Sequence, residues 1–154
     1  MNSRKKTIFL LILIIVVTVS ISIVNRENNK VFYNFQISIK NEFESVHKLK
    51  LLNNGPYCTF MIYMKEGSTD FNKVEAVFLK MMLEISKPNN LNYFMKHHGK
   101  VSSGELAFFH ITFKIEGNSD KILYQFISRK NFEKWKFDGK EERYYYVADY
   151  INKK

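Results

Sequence analysis

The chain has 154 residues, 45 % of them apolar and 16 % aromatic, with fourteen Phe and nine Tyr. Such ring content excludes an intrinsically disordered chain, and two Pro with six Gly exclude a long flexible linker. The formal charge is +9, and Cys58 is the single cysteine, so no internal disulfide can form and stability must come from burial.

Arg4, Lys5 and Lys6 open onto Thr7 to Val24, an uncharged run made mostly of Ile, Leu, Val and Phe. As a helix this run rises about 27 Å, close to the roughly 30 Å of a hydrocarbon core. It predicts a single transmembrane helix kept as a signal anchor, with membrane lipid as the partner of residues 7–24. A cleaved secretory signal is the alternative. Its best cleavage motif is Ser20-Ile21-Ser22, where serines are weaker than alanines and the apolar run continues past the cut. The cationic N-terminal flank predicts the N-terminus inside and the remainder outside. The expected organisation is a basic flank and anchor over 1–24, a polar spacer over 25–30, and an extracytoplasmic domain over 31–154.

Beyond the anchor the chain carries 21 basic and 15 acidic residues, a charge of +6. A basic domain beside a membrane suits anionic lipid or an anionic cell-surface polymer. Lysine is also an ordinary surface residue. Nucleic acid is not expected as a partner of a domain held outside the cell.

Within the domain, Val31 to Lys40 alternates apolar and polar residues, which predicts a strand. Phe43, Val46 and Leu49 then recur every third residue, which predicts a short helix over 41–52, stopped by Asn53-Asn54-Gly55-Pro56. Tyr57 to Met64 is a strand apolar on both sides, as in a central position. Phe71, Val74, Val77, Phe78, Met81, Met82 and Ile85 form a helical stripe, so 71–86 is the main amphipathic helix. Ser68 to Asp70 offers N-caps, Lys80 and Glu84 fall off the stripe, and Pro88 ends the helix. A short strand is expected around 91–95. Residues 106–116 and 121–129 predict an antiparallel hairpin about Gly117 to Asp120. Arg143 to Ile151 predicts a last strand or short helix. The fold class is α+β, with an antiparallel or mixed sheet packed by the helix over 71–86.

The sequence offers little chemistry. His97, His98 and His110 are the candidate metal ligands, with Glu105 nearby, but their spacing does not make three or four ligands converge. No metal or cofactor is expected. Cys58 lines up with Phe60, Ile62 and Met64, which predicts a core position rather than a nucleophile. Trp135, Lys136, Arg143 and Tyr145 are the candidate interaction surface, because rings among cations suit sugars or a membrane interface. The competing reading is that these rings close one end of the core. The expected function is non-catalytic binding or support of a partner at the cell surface, either an anionic polymer or a protein. A small surface hydrolase and a secreted binding protein are the alternatives.

Overall fold

The computed structural model describes residues 12–14, 16, 30–54, 57–97, 108–129, 133–139 and 141–151. The chain divides into two units, Met1–Asn34 and Phe35–Lys154. In the first, Ile12, Leu13, Ile14 and Val16 are helical and exposed. They belong to the expected anchor over 7–24, whose other residues lie outside the described set. Among the described residues no helix is long and apolar enough to cross a membrane.

Helix α1 spans residues 30–42. It is followed by β1 (Val46–Asn54), β2 (Tyr57–Met64), α2 (Phe71–Ser86), α3 (Pro88–His97), β3 (Phe108–Ile115), β4 (Asn118–Arg129), β5 (Lys134–Phe137), β6 (Arg143–Tyr146) and α4 (Val147–Ile151). The strands form one six-stranded sheet in chain order. Neighbours are antiparallel except β2 and β3, which run parallel. A parallel pair needs a long crossover, and α2 and α3 lie in it. The α+β class with a mixed sheet therefore holds. At Gly117 the β3–β4 turn takes φ 81°, a conformation that glycine adopts without steric cost.

One sheet face is the core. Cys58, Phe60, Ile62, Met64, Phe109, Ile111, Phe113, Phe126, Trp135 and Tyr145 all point into it and are buried. The stripe of α2 packs there through Phe78, stacked on Phe126 at 3.8 Å and edge-on to Trp135 at 5.7 Å. Phe35 of α1 and Phe94 of α3 meet Phe60 at 5.5 and 4.9 Å. Each such ring pair adds about 0.5–1.5 kcal/mol to the area it buries. Helix α2 has the bounds its stripe predicts. Asp70 caps its start by accepting from the Lys73 N–H at 3.1 Å.

Several expectations are corrected. Residues 31–40 are helical, not a strand. Every second member of a period-two pattern, four residues on, falls on one helix face, and Phe35 and Ile39 take that face while Tyr33 and Ile37 are exposed. The segment over 41–52 is not a helix: α1 ends at residue 42 and β1 follows. A β-bulge between Val46 and Lys48 inserts one residue. Val46 and Leu49 are thus both buried at a spacing of three. The strand expected over 91–95 is helix α3. Pro88 does stop α2, holding Lys87 extended at ψ 133°, but it also opens α3, where a missing N–H costs nothing. Glu84 is buried, not solvent-facing, and is held by Lys87 at 2.6 Å and Lys80 at 3.6 Å. Residues 143–151 are both strand and short helix.

Candidate functional site

Cys58 is fully buried, and burial pushes its thiol far above the usual range. His97 closes α3; its side chain, and the whole of His98 and Glu105, lie outside the described residues. His110 is half-buried on β3, 3.5 Å from Gln125 and 4.9 Å from the Tyr57 ring, and burial holds its pKa below the usual value. His47 pairs instead with Glu116 at 3.0 Å. Among the described residues no three His, Cys, Asp or Glu side chains gather as metal ligands.

The candidate interaction surface splits. Trp135 and Tyr145 are 0 % and 5 % exposed, so they close the core and do not form an outward surface. The Trp135 indole N–H has no hydrogen-bond partner among the described residues. Tyr145 donates to Glu75 Oε1 at 2.5 Å and ties β6 to α2. Its phenol is raised well above the usual pKa by burial and then by the Glu75 carboxylate. Alternation along β5 and β6 turns Lys136 to the other face. Arg143 points inward at the sheet edge, where its guanidinium meets the solvent.

The outer face of the sheet has a polar, cationic character. Register places Lys50, Met61, Thr112 and Gln125 in one row, and Leu52, Thr59, His110, Ile127, Lys136 and Tyr144 in the next. Thr59 and Thr112 are short and lie buried at the centre. Gln125 donates to the Thr112 hydroxyl at 3.2 Å. The flanks are longer. On one side the Lys50 ammonium sits 5.5 Å from the Tyr63 ring. On the other, Lys134 lies 4.1 Å from Tyr144 and 5.4 Å from Tyr146, and Lys136 donates to Glu142 at 2.5 Å. Thr59 and Thr112 thus lie between two Lys–Tyr banks, in rows that also hold Met61, His110, Gln125 and Ile127. The first bank is invisible while 41–52 is taken as a helix; reading Lys48 and Lys50 at period two would have found it.

On the inner face, where α2 begins, an open pocket of about 230 Å³ is lined by Phe71, Tyr124, Phe137, Glu141 and Arg143. Its floor is a ring trio: Phe71 to Phe137 is 5.1 Å, Phe71 to Tyr124 5.4 Å, and Tyr124 to Phe137 6.0 Å. The Arg143 guanidinium lies over Phe71 at 4.8 Å and donates to Glu141 Oε2 at 3.1 Å. Of these five residues the sequence pointed only to Arg143 as surface. The others come from α2, β4, β5 and the β5–β6 turn, and no spacing links them. No protein-family model matches the chain, and no curated protein or solved structure matches it either.

Proposed function

We propose that the protein is a non-catalytic binding domain held at the outer face of a membrane by residues 7–24, and that its outer sheet face takes an anionic cell-surface polymer. The observation that carries this reading is the pair of Lys–Tyr banks on either side of Thr59 and Thr112. A polymer strand lying on the face between the banks would meet ammonium groups on both sides. Lys50 and Lys134 already lean on rings and Lys136 is held by Glu142, which restricts their motion before contact. The net excess of basic residues favours approach of a polyanion from any direction.

The test uses the full-length chain in detergent, with dextran sulfate and polyglutamate as sulfate and carboxylate polyanions. Binding is expected at low salt and should weaken steeply as ionic strength rises toward about 0.5 M, because screening lengths shrink from about 10 Å at 0.1 M to about 3 Å at 1 M. The combined variant Lys50→Gln, Lys134→Gln, Lys136→Gln should lose at least about ten-fold in affinity, about 1.4 kcal/mol, at an unchanged melting temperature. Equal binding by the variant would remove the sheet face from the proposal.

A further inference from the structure

The pocket beside α2 is separate from the outer sheet face and carries different chemistry. We infer that it is a subsite for a single neutral sugar ring. Three features define what fits. The floor is aromatic, with Phe71 and Tyr124 partly exposed above a nearly buried Phe137. Among the described residues the rim holds one guanidinium, a donor only, and one carboxylate, an acceptor only. The two groups balance in charge, in a domain that is otherwise basic.

Each ligand class uses these features differently. An organic cation would gain the rings and Glu141 but would face the like charge of Arg143. An anion would gain Arg143 but face Glu141 and sit over the negative ring faces. A sugar uses all three. Its C–H face lies on the rings, one hydroxyl accepts from Arg143, and another donates to Glu141. Arg143 already places a flat, polarised group over the Phe71 ring, 4.8 Å from its centroid. The Arg143 and Glu141 side chains are 47 % and 76 % exposed, and ion pairs this exposed are weak, so their reorientation around a ligand is cheap. The size also selects. About 230 Å³ is below the roughly 300–1,000 Å³ of drug-sized ligand sites, so the pocket itself has room for one ring. This inference does not depend on what the outer sheet face binds.

The experiment is an NMR titration of the full-length chain in a polyoxyethylene detergent, which carries no sugar headgroup. Glucose and N-acetylglucosamine are the probes, and choline and acetate the controls. Saturable shifts are expected at Tyr124 and Arg143 with either sugar, with a dissociation constant of about 1 mM, as suits one small ring. Glu141 is exposed, so Glu141→Ala should keep the melting temperature yet weaken sugar binding by about five-fold or more, the loss of one charged hydrogen bond. Phe71→Leu should weaken it as well, with polyanion binding on the sheet face unchanged. The inference is overturned if neither sugar gives a saturable response, if choline or acetate binds more tightly than both, or if Glu141→Ala binds sugar as wild type does.

Discussion

Among the described glycines, Gly139 is the one whose missing side chain matters most. A Cβ added there would overlap the edge of the Phe137 ring. That ring is 9 % exposed and is hemmed in by Phe71 at 5.1 Å and Phe126 at 5.2 Å, so it cannot swing aside cheaply. Gly139→Ala is therefore expected to destabilise the fold by about 1–3 kcal/mol, as other overpacked sites do. Chemical denaturation should show a lower midpoint at an unchanged slope; an unchanged midpoint would mean the ring is free to move. Cys58 makes the opposite case, a residue defined by what it cannot do. Its thiol is buried among apolar side chains of β2 and its pKa is driven up by that burial, so little thiolate exists at neutral pH. A thiol reagent at pH 7.5 should leave the native chain unlabelled for as long as it stays folded and label it fully in denaturant. Fast labelling of the native chain would mean that β2 opens. The sequence foretold this burial, because Cys58 alternates in register with Phe60, Ile62 and Met64.

At the scale of elements, what could be read depended on whether one period had a rival. Helix α2 was legible because a stripe, a cap at Asp70 and a stop at Pro88 agree. Strands β2 and β3 were legible because their core residues, Cys58, Phe60, Ile62 and Met64 on one and Phe109, Ile111 and Phe113 on the other, alternate, and β4 because the turn at Gly117 marks its start. Helix α1 and β1 were not, since Val31 to Ile39 satisfies two periods at once and the bulge at Val46/Lys48 gives a strand the spacing of a helix. The pocket was illegible for another reason: chain topology, not spacing, brings Phe71 to Tyr124 and Phe137. The corrected α1 can be tested through Phe35, which is 2 % exposed and packs edge-on to Phe94 at 5.3 Å. Phe35→Ala should cost about 3–5 kcal/mol, the range for a buried ring. A loss under about 1 kcal/mol would remove this part of α1 from the core. The link between α2 and β6 has its own signature. Tyr145→Phe deletes the bond to Glu75 and should cost about 1–2 kcal/mol at neutral pH. The folded pKa of Tyr145 is raised, so its contribution is complete below the unfolded value of about 10 and is lost as pH rises from there toward the folded value. Wild type should thus lose stability above pH 10 more steeply than Tyr145→Phe. The variant keeps a smaller slope, because Tyr93 and Tyr150 are raised by burial too. Parallel stability curves above pH 10 would show that Tyr145 is not held neutral by the fold.

For the whole molecule, the proposed attachment to a membrane would rest on either grease or charge. The two forces respond differently to solvent. The uncharged run from Thr7 to Val24 would be held in lipid by apolar transfer, which salt strengthens slightly and alkali leaves intact. The +6 charge of the remainder would be held only by anionic headgroups, at about 1 kcal/mol per Lys or Arg near the surface, and screening removes that. If the anchor is real, the full-length chain should stay with membranes through 1 M salt and through alkaline carbonate. Protease added outside should digest the domain while a tag ahead of Arg4 survives. A mature chain starting at Ile23 and recovered in the aqueous phase would mean that the segment is a signal peptide and that the partner must be reached by diffusion. Release by salt alone would assign the attachment to the basic domain. In that case the polyanion affinity of the Lys–Tyr banks would have to account for all of it, and the Lys50→Gln, Lys134→Gln, Lys136→Gln variant should leave the membrane at correspondingly lower salt.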